Sequence, residues 1–240
     1  MILPRRVHGD QQRVLHRFSV RTREDAQVRA HTDRFGNSVL DTTVASVQRR
    51  IEFHTKAVIL RSPGEVQRPA WKCAGPTTTR LTRPDDAIRD AAARFGPATD
   101  VSETADSISD FVRDSFEYSH DVTSVHTTAA DAWQLKQGVC QDMAHVMIAI
   151  CSSLGIASRY VSGHLVGDGA SHAWVEVFDP SRNTVVAIDP THRRRTDLRY
   201  ITTATGRDYR DVAPTSGTYT GQGGRGRLKA TKTIRVAELT

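Results

Sequence analysis

The sequence predicts an α+β protein: an N-terminal antiparallel β region, then a core of helices packed on an antiparallel β-sheet. Three observations predict it. Apolar and polar residues alternate with period two through much of residues 1 to about 65. Between Pro84 and Leu154 the apolar residues recur at steps of three and four instead. Alternation returns between 156 and 189, broken by tight-turn composition. A chain of 240 residues is long enough for a sizeable core and one or two domains. The change of period divides it into an N-terminal β domain, 1–65, and a second domain, 66–240.

In order, Val14–Val20, Val39–Val44 and Ile51–Ile59 read as strands of one antiparallel sheet with a solvated face, and Arg34-Phe35-Gly36-Asn37-Ser38 reads as a turn. Residues 61 to 83, rich in Pro and Gly, read as a linker or crossing segment. Pro84-Asp85-Asp86 opens a helix that stops at Gly96. A second helix follows Asp100 or Ser102, with Ala105, Ile108, Phe111 and Val112 on its apolar face. A short third helix, through a core Trp133, stops at Gly138. Asp142 to Leu154 is a fourth, ended by Gly155, its buried face made of Ala144, Met147, Ile148, Cys151 and Leu154. Strands follow at 156–165, 172–178 and 184–189, the last two joined by Asp179-Pro180-Ser181-Arg182-Asn183. Residues 198–240 read as strand, short helix and a final edge strand at Arg227–Val236, after a flexible connection at Gly221–Gly226.

The chemistry centres on Gly138-Val139-Cys140-Gln141-Asp142. Cys140 falls at the first turn of a buried helix, where unpaired N–H groups and the positive end of the dipole favour thiolate over thiol. A nucleophilic cysteine needs a base and a group that orients the base. His172 begins one strand and Asp189 ends the next, and an antiparallel hairpin brings the two together. Cys140, His172 and Asp189 are thus the candidate nucleophile, base and orienter. Trp174 shares the His172 face of its strand, and Val175 and Val177 take the other. His145 reads as a buried polar group, Asp142 as a first-turn acid and Cys151 as a small apolar core residue.

These blocks resemble the transglutaminase-like superfamily of papain-like cysteine enzymes, in its bacterial branch. The matching pieces are GVCQDMAH (138–145), LGIASRYVSGHL (154–165), SHAWVEVF (171–178), AIDPTH (187–192) and GRDYRDVAP (206–214). The resemblance implies Cys140, His172 and Asp189 as the catalytic triad, and a papain-like core. It suggests Trp174, His164 and Tyr209 as substrate-binding candidates. It extends more loosely to an N-terminal β domain, through Phe35-Gly36-Asn37 and Pro4-Arg5. Members begin with a further strand before that Pro-Arg pair, so the β domain is expected to be cut short at its start. The expected activity is acyl transfer or hydrolysis at an amide bond through a Cys140 thioester. The alternatives are an amide-forming acyltransferase in a biosynthetic pathway and an inactive binding module on the same fold. Calcium dependence, found in animal relatives, has no acidic loop pattern to support it.

Composition narrows the partners. The chain carries a net charge of +6, but no nucleic-acid motif accompanies the charge, and a nucleic-acid partner is not expected. The densest basic region contains Arg182, Arg193, Arg194, Arg195, Arg199, Arg207 and Arg210. It reads as a solvated basic face or as an attractor of an acidic substrate. The expected substrate is a peptide, protein or small amide. No CxxC or HExxH pattern occurs, so neither a metal nor another cofactor is expected. No apolar run approaches the roughly 20 residues that span a bilayer, and the start lacks a signal-peptide core, so a cytoplasmic protein is expected. Three cysteines do not make a paired disulfide framework. The clipped β domain leaves an edge that a second copy would cover, giving a homo-oligomer.

Overall fold

The computed structural model describes residues 1–47, 49–62, 76–167, 171–220 and 229–236. The N-terminal strands are β1 (Ile2–Leu3), β2 (Val7–His8), β3 (Gln11–Arg21), β4 (Ala26–Thr32), β5 (Ser38–Val44) and β6 (Glu52–Arg61). They form two three-stranded sheets, β1-β5-β4 and β2-β3-β6, rather than the single sheet expected. β4 was not foreseen. Only its first residue escapes full exposure, so no buried alternation marks it, and its pairing with β5 makes it a strand. Phe35-Gly36-Asn37 lies in the β4–β5 connection. There Asp33 Oδ1 accepts the Phe35 and Asn37 N–H groups, both at 2.8 Å, and Gly36 takes a φ of 79°. The proposed boundary at 65/66, Cys73 and the Gly221–Gly226 connection lie outside the described residues.

The helices are α1 (Asp86–Ala93), α2 (Val101–Ser115), α3 (Ala129–Leu135) and α4 (Cys140–Ser153). Asp85, Asp100 and Thr128 cap the first three by accepting the N–H of Ile88, Glu103 and Asp131. Gly138 does not end α3. Lys136 does, in the left-handed region at φ 54°. Gly138 instead pairs in parallel within β7 (Glu117–Tyr118) and β8 (Gln137–Gly138). A Cβ there would lie 2.6 Å from Asp142 Oδ2.

Helix α4 is buried all round from Asp142 to Cys151, not along one face. Helices α1, α2 and α3 surround it, and it lies on β9 (Ser158–Leu165) and β10 (Ser171–Asp179). With β11 (Thr184–Asp189), β12 (Arg194–Arg195) and β13 (Tyr200–Gly206), these strands form a sheet of order β12-β11-β10-β9-β13. The β10–β11 hairpin runs antiparallel through the expected turn. Helix α5 (Tyr209–Val212) follows. Residues 229–236 form no strand. Their alternation finds no neighbour to pair with, and alternation without a partner leaves backbone groups unsatisfied.

Each face of this sheet has its own cover. Ala173, Val175, Val177, Val186 and Ile188 join the main core with α4. Val161, Leu165, Trp174 and Tyr200 form a second cluster. The N-terminal strands dock through side chains at the sheet's edge and on the Trp174 side. Gln11 brackets Thr202, donating to its carbonyl at 2.8 Å and accepting its N–H at 2.7 Å. Asn37 does the same to Thr205, at 2.9 Å for both bonds. Two carboxamides thereby satisfy the outward backbone of β13, an edge strand. Beside them Glu176, 4% exposed, holds His8 Nε2 at 2.5 Å and accepts Arg159 Nε at 2.6 Å. A cavity of about 770 Å³ lies in this region, walled by His8, Arg61, Trp174, Glu176 and Tyr200 among others.

Candidate active site

The α4 N-terminus and the start of β10 meet at Cys140 and His172. Val139 precedes the helix in extended conformation, and Cys140 is the first helical residue. Asp142 fixes this entrance. Its Oδ2 accepts the Val139 N–H at 2.8 Å and the Thr123 hydroxyl at 2.7 Å. It therefore pins the segment before α3 against the turn that carries the cysteine. Gln141 Nε2 adds a bond to the Ser124 carbonyl at 3.2 Å. Burial raises the Asp142 pKa, against the pull of the Val139 and Thr123 bonds.

His172 is 3% exposed. Its Nε2 lies 2.7 Å from Asp189 Oδ2, which leaves Nδ1 to face Cys140. Burial alone would lower the histidine's pKa. Hydrogen bonds to Asp189 and Cys140, with their charges, outweigh burial and raise it to about 10. Asp189 is fully buried. Burial would raise it, but His172, Tyr200 and His192 hold it at about 2.

Two further partners of Asp189 were not foreseen. His192 Nδ1 and the Tyr200 hydroxyl each lie 2.7 Å from the same Oδ2. The Thr191 N–H donates to Oδ1 at 2.9 Å, closing a turn over the carboxylate. Arg194 Nε donates to the Tyr200 hydroxyl at 2.9 Å. His192 was legible in principle: three residues after Asp189, across Pro190-Thr191, it sits where an Asx turn folds back. Tyr200 had no local signal, because only the sheet order brings it to Asp189.

The other candidates are placed as follows. Trp174 is 1% exposed, edge-on to Tyr200 at 5.3 Å and 6.3 Å from the His172 ring. It packs behind the His172 ring and also walls the cavity beside Glu176. His164 stands opposite Ser171 across β9 and β10. Tyr209 opens α5, half-buried, and its N–H donates to His145 Nε2 at 3.1 Å. His145 is fully buried, and desolvation lowers its pKa to about 4 despite Asp208 nearby. Cys151 is buried, and burial pushes its thiol up to about 12.

Most of the basic region is locally matched. Arg182 bonds Asp100 and Asp179 at 2.5 and 2.7 Å, Arg195 bonds Asp106 at 2.6 Å, and Arg193 bonds Asp114. Arg199 and Arg207 pair with Asp197 and Asp211. Since Asp106 and Asp114 lie on α2 and Asp100 caps it, these pairs tie the sheet to that helix. Where both partners are exposed, such pairs add little stability individually.

A cysteine at a helix start, beside a histidine held by a buried carboxylate, on an α+β scaffold, is similar to the arrangement in papain-like cysteine enzymes. The family model described as the transglutaminase-like superfamily matches residues 89–190. Over 175 residues it is 34% identical to an uncharacterized protein of Mycobacterium tuberculosis, covering 65% of this chain and 56% of that one. Over 123 residues it is 38% identical to an uncharacterized Mycobacterium leprae protein, covering 47% and 43% respectively. The chain thus spans about half the length of these relatives. A crystal structure from Cytophaga hutchinsonii, provisionally called a cysteine protease, superposes with a TM-score of 0.67 at 22% identity. It covers 88% of this chain and 78% of that one, and it supports the fold. Among the described residues, no helix is long and apolar enough to cross a membrane.

Proposed function

We propose that this protein is a cysteine-dependent acyl-transfer enzyme acting on an amide bond of a peptide, protein or small amide. The observation that carries the reading is the buried relay from Asp189 Oδ2 to His172 Nε2, at 2.7 Å, with the other ring nitrogen toward Cys140. The Cys140 thiolate attacks the carbonyl carbon, forming the S–C bond and an oxyanion. The Cys140 backbone N–H, unpaired at the helix start, is one donor for that oxyanion. Collapse breaks the C–N bond as imidazolium delivers its Nδ1 proton to the leaving amine, and a thioester remains. Neutral His172 then takes a proton from water or from an amine, which attacks the thioester and releases Cys140 as thiolate. Water gives hydrolysis, and an amine gives transamidation. Asp189 holds the ring and stabilises the imidazolium in both halves.

A binding module on the same fold would have no use for a buried carboxylate held ionised beside a histidine and a cysteine. Labelling with a limiting alkylating agent at about pH 6 tests the proposal, because an ordinary thiol with pKa near 8.5 is mostly protonated there. The expected result is fast, selective modification of Cys140 that collapses in His172→Ala. Equal labelling in both proteins would overturn the pair. Incubating the wild type with an activated ester, with and without hydroxylamine, then separates hydrolysis from aminolysis by the product formed.

A further inference from the structure

His172, Asp189 and His192 come together for reasons the acyl-transfer chemistry does not require. A relay needs one imidazole on the carboxylate, and here two share one oxygen. His172 Nε2 and His192 Nδ1 are each 2.7 Å from Asp189 Oδ2. The three ligand-type atoms all lie within 4.8 Å of one another, and among the described residues no other trio of His, Cys, Asp or Glu side chains lies this close. The two rings are 5.2 Å apart.

We propose that this trio is an inhibitory site for a divalent cation of the zinc type. Two imidazole nitrogens and a carboxylate oxygen are zinc's ordinary donors, at about 2.0–2.2 Å, and a water completes the tetrahedron. The surroundings are already built. Tyr200 and the Thr191 N–H hold Asp189 from the other sides, and Arg194 holds Tyr200. Such outer partners orient a metal-binding carboxylate. His192 provides access: its side chain is 38% exposed, whereas those of His172 and Asp189 are 2% and 0%. It also lies on a turn, so it can swing outward by the fraction of an ångström that a cation needs in place of two hydrogen bonds.

The cation replaces protons. His172 surrenders its Nε2 proton to solvent, and His192 moves its proton from Nδ1 to Nε2, so binding to the ion-paired form releases one proton. The consequence for Cys140 follows from the tautomer. With the cation on Nε2, the remaining proton of neutral His172 is fixed on Nδ1, the nitrogen that must accept a proton during turnover. The base is occupied at one nitrogen and capped at the other. Cys140 itself stays outside the coordination sphere, because it faces the opposite edge of the ring.

The inhibitory consequence rests on the proposed base role of His172, whereas the cation site does not. Calorimetric titration of the metal-free full chain with Zn²⁺ reads the site directly, and turnover of an activated ester reads its effect. His192→Asn is the discriminating variant, since Asn Nδ2 donates to Asp189 much as Nδ1 does but is a poor zinc ligand. The expected result is one Zn²⁺ per chain, bound at least about tenfold more weakly by His192→Asn and as tightly by Cys140→Ser. Zn²⁺ slows turnover of an activated ester by the wild type, the step in which Nδ1 must accept a proton, and a chelator restores it. Unchanged binding in His192→Asn, lost binding in Cys140→Ser, or no binding below about 100 µM (about −5.5 kcal/mol) overturns the site. If zinc binds through His192 but His172→Ala leaves Cys140 labelling unchanged, the site stands and the enzyme reading falls.

Discussion

Replacing Asp189 with Asn changes a charge and one atom with little change in volume. In the native site Oδ2 receives three donors at 2.7 Å, from His172, His192 and Tyr200. Oδ1 receives the Thr191 N–H at 2.9 Å. Asparagine must turn its oxygen toward the three donors, which points its NH₂ at the Thr191 N–H. A hydrogen bond to a charged group contributes about 1 kcal/mol more than a neutral one, and a buried N–H left unpaired costs about as much or more. Three weakened bonds and one lost sum to about 4 kcal/mol before relaxation. His172 bears roughly a third of this, which at 1.36 kcal/mol per unit lowers its pKa by about one unit. The carboxylate holds the imidazole that faces Cys140 less firmly, so alkylation of Cys140 at pH 6 should slow several-fold. The assay is the labelling rate mapped to the Cys140 peptide, with circular dichroism and urea unfolding run in parallel. A folded Asp189→Asn protein that labels within about twofold of wild type would refute the coupling.

Two further outcomes follow from the packing and the charges. Gly163 stands in β9 between His172 and Thr202, and a Cβ there would collide with the Ile201 carbonyl and lie 2.8 Å from Trp174 Cζ3. Gly163→Ala should therefore cost about 1–3 kcal/mol in urea unfolding and disturb Tyr200 through Trp174, and an unchanged midpoint would contradict this packing. In acid, Asp189 drops from 3.8 unfolded to about 2 folded, and Glu176 is also lowered, its burial outweighed by His8 and Arg159. Both contributions are present above the unfolded values and lost as pH falls through the folded ones, Asp189 alone accounting for about 2 kcal/mol. The urea midpoint should fall from about pH 5 down to about pH 2, and a flat profile would exclude this linkage.

What the sequence reveals here depends on whether the signal is local. The β10–β11 hairpin was legible because alternation and turn composition sit side by side, and with it the meeting of His172 and Asp189. The Cys140 helix was legible as a helix. Its burial on every side was not, because that comes from three other helices and the sheet closing around it. Strand β4 lacks a buried face and was invisible, whereas residues 229–236 alternate and yet form no strand with any of the described residues. Tyr200 reaches Asp189 through the β13-β9-β10-β11 strand order, which no window of residues encodes. Trp174 was placed on the correct face, and on that face it packs in the second cluster beside Tyr200.

The carboxamides of Gln11 and Asn37 give the joint between the N-terminal strands and the main sheet a chemical lifetime. A carboxamide reproduces the donor and acceptor of a peptide group, but unlike a backbone amide it can be hydrolysed without cutting the chain. If Asn37 were deamidated, the Nδ2 that donates to the Thr205 carbonyl and to Asp33 would become an oxygen facing both. A fully buried lock would turn into a cluster of mutually repelling acceptors. The same bonds fix the side chain in place, which restrains the attack of the following backbone nitrogen that starts deamidation. Folding thus protects the residue that fastens the fold, and each excursion into the unfolded state exposes that residue to irreversible ageing.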